Sequence, residues 1–319
     1  MKKTLLALAV LAAGSAQAGV NLYDQDGVLV DLSAAAEVQY YQGYAENSEA
    51  KIKLDDGDLA LNTTVAVTEQ MNVLAGLAFE FEKSAVTSDE LWVGFGGDFG
   101  TLTFGRQYLI SDDAGIGKDI ELGGDGLDFV QANGDQAVKY VFDNGQFYAG
   151  VSALLTEDGK KGTDDTTIVD GRLGARFGEF DARVYLYSGD DVASEKLNFI
   201  ADEKIKEALD IEGFNLEAEY NMGAISLAAS IGQVEYTLAS DSSKSVDMDT
   251  ASLAGSYTMG KTTFAAGYTY LSPESEDINT FYANVTQQLH SNVKVYGEIG
   301  TTDADNSEFG YVAGMEVLF

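Results

Sequence analysis

Residues 310–319 read GYVAGMEVLF, with Tyr311, Ala313, Met315, Val317 and Phe319 at every second position. Residues two apart share one face of a β-strand, so one side of this segment is apolar and the other carries Gly310, Val312, Gly314, Glu316 and Leu318. The pattern predicts a strand whose apolar face ends on Phe319.

Working back from this segment, the same alternation recurs in stretches of about ten residues from residue 28 on. Leu32, Ala34, Ala36, Val38 and Tyr40 oppose Asp31, Ser33, Glu37, Gln39 and Tyr41. Leu91, Val93 and Phe95 oppose Glu90, Trp92 and Gly94, and Phe214, Leu216, Ala218, Tyr220 and Met222 oppose Asn215, Glu217, Glu219 and Asn221. Between such stretches, short connections alternate with long polar ones. The short set falls near residues 69–71, 97–99, 144–146, 178–179, 222–224, 259–261 and 290–291; the long set near 45–50, 83–90, 108–136, 156–166, 189–212, 235–247, 272–277 and 302–307. Seven tight turns and eight loops join about sixteen strands, which predicts an all-β, transmembrane antiparallel barrel. A soluble β-sandwich is the alternative, but its turns need not alternate in length. In hydrocarbon an unpaired backbone N–H or C=O costs several kcal/mol, so the sheet has to close and the last strand has to pair with the first.

Composition agrees. MKKTLLALAVLAAGSAQA, residues 1–18, carries Lys2 and Lys3, an apolar run and a small-residue Ala16-Gln17-Ala18 site, and reads as a signal peptide ahead of a barrel domain over 19–319. No later window approaches the roughly 20 apolar residues of a transmembrane helix. One proline, 35 glycines and no cysteine suit long strands with tight turns and no disulfides. The net charge of -33 argues against nucleic acid and favours cations, with solubility in a salty habitat as a further cause. The single His290 falls in a predicted tight turn, so neither a Ser-His-Asp hydrolase nor a Cys/His metal site is expected, and no enzymatic activity.

A signal peptide, about sixteen alternating strands and a terminal Phe resemble the general diffusion porins of Gram-negative outer membranes, with a strong likeness to those of marine vibrio-type bacteria. LTFGRQYLISDDAGIGKDIELGGDG, residues 102–126, is similar to the family's fifth strand and third loop. Where the family carries Pro-Glu-Phe-Gly-Gly-Asp, this chain has Ile120, Glu121, Leu122, Gly123, Gly124 and Asp125. The resemblance implies a bacterial outer-membrane location, a third loop folded into the barrel, a homotrimer, and recognition of Phe319 by the barrel-assembly machinery.

About sixteen strands leave a water-filled lumen, and the narrowest charged ring decides what crosses. The loop from Leu109 to Gln136 is the expected constriction, its length exceeding ordinary hairpin connections. Asp119, Glu121, Asp125 and Asp128 supply its acidic side; the alternative is a cap folded over the outside. Strand parity points Lys51, Lys53, Lys139, Arg172, Arg176 and Arg183 inward as a basic wall, with lumen salt bridges as the other reading. Glu90 points inward where the family's wall is expected to be basic, which predicts cation selectivity. Trp92 also points inward, a lone aromatic that offers little of the stacking track a sugar-specific porin needs. Arg106 shares the parity of Leu102 and Phe104 and so points outward, where the resemblance implies an ion pair with a neighbouring subunit's acid such as Asp89; snorkelling to lipid headgroups is the alternative.

Leu197, Ile200, Ala201, Ile205, Ala208 and Leu209 follow Ser194 at helical spacing and predict a short amphipathic helix on the rim within residues 194–211, or a gating element. No cofactor is expected, although Asp164-Asp165 and Asp303 with Asp305 are carboxylate pairs that suit Ca²⁺ or Mg²⁺ bridging to lipopolysaccharide. The function read from these features is passive diffusion of ions and small hydrophilic solutes. An outer-membrane adhesin and a solute-specific porin are the competing readings.

Overall fold

A computed structural model of the chain describes residues 19–82, 85–124, 126–127, 129–157, 165–194, 207–273 and 277–319. The leader at 1–18, Asp125, Asp128, Asp164 and the helix positions Leu197, Ile200, Ala201 and Ile205 lie outside these.

The alternating segments form β1 (Gly19–Gln25), β2 (Val28–Gln42), β3 (Lys51–Leu54), β4 (Asp58–Ala66), β5 (Met71–Glu80), β6 (Thr87–Gly97), β7 (Gly100–Tyr108), β8 (Asn133–Asp143) and β9 (Phe147–Glu157). There follow β10 (Thr166–Phe177), β11 (Phe180–Ala193), β12 (Ala208–Met222), β13 (Ile225–Leu238), β14 (Asp241–Met259), β15 (Thr262–Pro273), β16 (Ile278–His290), β17 (Val293–Thr302) and β18 (Gly310–Leu318). Neighbours pair antiparallel all the way round, and β18 returns to β2 with Tyr311 opposite Gln42 and Leu318 opposite Ala35. β3 and β4 pair with the upper and lower parts of β2, so they form one interrupted wall strand. From β2 to β18 this closes a sixteen-strand barrel. Among the described residues no helix is long and apolar enough to cross a membrane.

All seven short connections stand at the expected places. At Gly178 and Gly223, φ is +65° and +60°, the left-handed conformation that a two-residue hairpin turn demands and glycine adopts without steric cost.

Two segments differ from the sequence reading. The expected loop at 235–247 is strand: β13 and β14 continue outward, with Thr237 opposite Ser245 and Leu238 opposite Asp241 around a bulge. Ala208 and Leu209, read as helical, are the first residues of β12, and Leu209 pairs with both Val192 and Leu238. Tertiary pairing overrides local helical spacing there.

β1 adds a further piece. It turns at Asp26 and Gly27 into β2, pairing Gly19 with Ser33. Phe319 exchanges backbone hydrogen bonds with Ala34, its N–H donating at 2.9 Å and its C=O accepting at 2.6 Å. β18 and β1 therefore lie end to end along the same edge of β2.

The two faces of the wall differ in chemistry. Leu91, Val93, Leu173, Leu216, Leu253 and Met315 are exposed on the outside. Gln39, Ser152, Asp170, Asn215, Glu217, Ser252 and Glu298 are buried on the inside. Phe319 faces outward and is exposed. The buried apolar cluster is not a barrel core of the ordinary kind. It forms where Leu109, Ile110, Leu127 and Val130 of the third loop pack on Leu154, Ile168, Tyr185, Tyr187, Ile211 and Val234 of the wall.

Candidate pore constriction

Between β7 and β8 the chain enters the lumen and is tied to the wall at successive points. A short 3-10 turn at Ile110–Asp113 begins it. The Ile110 N–H donates to Ser152 Oγ at 2.8 Å and the Ser111 N–H to Asp170 at 2.6 Å. Asp113 accepts from Arg172 at 2.7 Å through its carboxylate and from Tyr185 Oη at 2.8 Å through its C=O. The Gly115 N–H donates to Glu217 at 2.6 Å, and its C=O accepts from Arg183 at 3.1 Å. Farther on, the Lys118 N–H donates to Tyr282 Oη at 2.8 Å.

The tip is held most heavily. One carboxylate, Glu298 of β17, accepts the N–H groups of Ile120, Glu121 and Leu122 at 2.7, 2.8 and 2.8 Å, and also Asn284 Nδ2 at 2.9 Å. Three successive donors converging on one anion supply charge-assisted hydrogen bonds in a sheltered place, where an unpaired group of either kind is costly. Leu122 then packs on Tyr282, Tyr296 and Val312, and its C=O accepts from Tyr44 Oη at 2.7 Å. On the way back, Tyr236 Oη and Tyr187 Oη donate to the C=O groups of Phe129 and Gln131 at 2.9 and 3.0 Å. The loop lies inside the barrel rather than capping it.

The acidic residues expected to line the opening divide into different jobs. Asp119 accepts the Gly123 N–H at 3.0 Å and so shapes the turn; burial and the nearby Glu298 charge push its carboxyl above the usual carboxylate range, against the pull of that N–H. Glu121 meets Lys53 Nζ at 2.7 Å and Gln39 Nε2 at 3.0 Å.

The six expected wall bases do not form one free array across a gap. Arg172 and Arg183 clamp the loop's first part to β10–β12, while Lys53 holds the tip and also pairs with Asp55 at 2.6 Å. Arg183 further meets Glu217 at 2.5 Å and Glu219 at 2.8 Å. Arg176 sits by the Asn144-Gly145-Gln146 turn, paired with Asp143 at 2.9 Å and Asp181 at 3.2 Å, and its guanidinium lies 4.1 Å from the Tyr148 ring centroid. Lys139 Nζ donates to the Tyr108 C=O at 2.8 Å, and Lys51 of β3, opposite Tyr41, is exposed and in none of these pairs. Opposite charges in neighbouring strands pair at once when both point into the same lumen, a contact that parity alone does not reveal.

Asp58 opens β4, Glu82 lies just beyond β5, and Glu90 and Trp92 stand on the inner face of β6; among the described residues none of these four takes part in the contacts that hold the loop. Glu82 accepts the Gly57 N–H at 2.8 Å and Glu90 accepts Trp92 Nε1 at 3.1 Å. Two carboxylate trios, Glu37 with Asp56 and Glu316, and Asp56 with Asp58 and Glu82, have oxygens within 4.8 Å of one another. This concentrates negative charge on one side of the passage. Sequence reasoning reached Glu90 through parity but missed Glu37, Glu217 and Glu298, whose inward parity was legible and whose partners were not.

Outside the lumen, Arg106 is on the outer face as parity predicts, but it pairs with Asp135 of its own chain and donates to the Ser88 C=O at 3.3 Å. Asp89, named as an acid for a neighbour's arginine, accepts Tyr108 Oη at 2.9 Å within the chain. Asp303 spends both carboxylate oxygens on Asn279, at 2.6 and 2.8 Å, and these donors hold its carboxyl below the usual range.

A closed sixteen-strand barrel, apolar without, polar within and narrowed by an inward third loop, defines an outer-membrane channel. Residues 4–307 match the Gram-negative porin family, and the chain belongs to it. It is 65% identical to the porin-like protein H of Photobacterium profundum, with all of both chains covered. Among solved structures it is similar to OmpT of Vibrio cholerae, with a TM-score of 0.80, 21% identity and coverage of 94% of this chain and 99% of that one. It is also similar to an anion-selective porin from Comamonas acidovorans, with a TM-score of 0.74, 16% identity and coverage of 92% and 100%.

Proposed function

We propose that this outer-membrane porin is a cation-preferring diffusion channel for ions and small hydrophilic solutes, working as a homotrimer. One observation carries the selectivity. Lys53, Lys118, Arg172, Arg176, Arg183 and Lys294 each have a carboxylate oxygen within 3.5 Å, whereas Asp58, Glu82, Glu90 and Asp112 are in no salt bridge among the described residues. A neutralised base contributes little field at a distance; Lys51 and Lys139 are in no salt bridge among the described residues either, but the four carboxylates outnumber them, so the passage keeps a surplus of negative charge. Across a gap comparable to the Debye length, about 8 Å at physiological salt, their potential still reaches a passing ion. The anion-selective porin from Comamonas acidovorans shares the fold, so selectivity has to be read from this lumen's own charges.

Trimer formation is supported by OmpT of Vibrio cholerae, solved in a trimer form, and the exposed, outward Phe319 suits recognition by assembly machinery. The reading is non-enzymatic: His290 lies beside the turn at Ser291 and Asn292 and bonds to both. Refolded protein in a planar bilayer under a KCl gradient tests it. An ohmic current reversing toward the K⁺ equilibrium potential is expected; reversal toward that of Cl⁻ refutes the selectivity, and absence of conductance refutes the channel in favour of an adhesive role.

A further inference from the structure

On the extracellular side of the loop tip lies a cavity of about 860 Å³, lined by Tyr41, Tyr44 and Phe129 and by the polar groups of Glu121, Thr280 and Thr302. Diffusion of a hydrated ion needs no aromatic surface here. The placement of Tyr44 is nonetheless built in: Gly300 and Gly310 leave the space its ring occupies, since a Cβ at Gly300 would overlap the Tyr44 hydroxyl and one at Gly310 would stand 3.0 Å from the ring. Its hydroxyl is spent on the Leu122 C=O, so the ring cannot swing away. Tyr41 is oriented differently, with Lys53 Nζ 5.3 Å from its ring centroid and, among the described residues, no side-chain hydrogen bond of its own.

Aromatic side chains beside the Thr280 and Thr302 hydroxyls match a molecule that is apolar on its ring faces and hydroxylated at its edge. Glu121 is neutralised by Lys53, but the residues lining the cavity include no basic side chain to attract an anion, and the volume falls within the roughly 300–1,000 Å³ of small-molecule sites. We propose that this vestibule is a docking site for neutral saccharides of one to three rings, which pause there before the constriction. The inference rests on the channel reading and adds a solute class to it.

Single-channel recording with maltose added on the extracellular side tests it. With an open KCl current established first, maltose at millimolar concentration should produce brief interruptions whose frequency rises in proportion to concentration. Tyr41→Ala should shorten them at least tenfold in a channel that still carries an open KCl current, and Thr302→Val should shorten them without removing an aromatic ring. An open KCl channel that maltose leaves uninterrupted, or interruptions equal in wild type and both variants, overturns the proposal while leaving the channel intact. No KCl current at all overturns the channel reading, and this one with it.

Discussion

Leu216 and Glu217 are adjacent in β12 and meet opposite surroundings: Leu216 is 48% exposed on the outer face, while Glu217 is 1% exposed and holds both the Gly115 N–H and Arg183. The pleat alone separates lipid from lumen here. Leu216→Arg is expected to cost roughly 2–4 kcal/mol of folding into bilayers, the range for a cation on the lipid face near the midplane. Urea titrations of refolding into lipid vesicles measure this, and a cost under about 0.5 kcal/mol would mean that Leu216 does not face hydrocarbon.

Glu298→Ala should act on the loop and not on the barrel. Removing the carboxylate strands three tip N–H groups, each worth about 1–3 kcal/mol when left unsatisfied. The tip then leaves the β17 wall and moves within the lumen, so open-channel recordings should show frequent brief closures, with Glu298→Gln intermediate because it keeps one acceptor. A current as quiet as wild type in Glu298→Ala would show that other ties suffice.

Lys53→Gln should increase cation preference, since Glu121 and Asp55 lose the charge that neutralises them. One unit charge acting over about 8 Å of water is worth about 0.5 kcal/mol, roughly a twofold change in the K⁺ to Cl⁻ permeability ratio. Lys51→Glu should move the ratio the same way. Bi-ionic reversal potentials read both, and a shift toward anions in either variant would contradict the charge account.

Arg106→Glu places two like charges together beside Asp135 on the outer surface. If this face meets a neighbouring subunit, the oligomer should dissociate at a lower temperature in SDS, and gel mobility after graded heating measures that. Unchanged heat resistance would remove Arg106 from the interface and leave its pairing with Asp135 as a contact within one chain.

Much of the barrel was legible because two solvents impose a period of two on every strand and because the turns on one side are short. β1 escaped notice although Asp26-Gly27, a hairpin dipeptide, precedes Val28; the strand is short, wholly exposed and lacks a clean alternation. The 235–247 segment looked like a loop because Ser242, Ser243, Lys244 and Ser245 carry no apolar face, yet β14 extends past the membrane, where neither face needs one. Inward direction was readable for Lys53, Arg172 and Arg183. Their ties to the loop were not, since Lys53 and Glu121 lie 68 residues apart and Glu121 and Glu298 lie 177 apart, and no local pattern records such distances.

The chain's one tryptophan gives the most direct test of the two-solvent wall without any substitution. Trp92 stands on the inner face, half-buried over Gly76, where a Cβ would overlap its ring, and it donates to Glu90. In the refolded protein its fluorescence should be quenched by aqueous acrylamide and unaffected by lipids brominated along the acyl chain. Quenching by the brominated lipids, with protection from acrylamide, would place the indole in hydrocarbon and contradict a barrel with water inside.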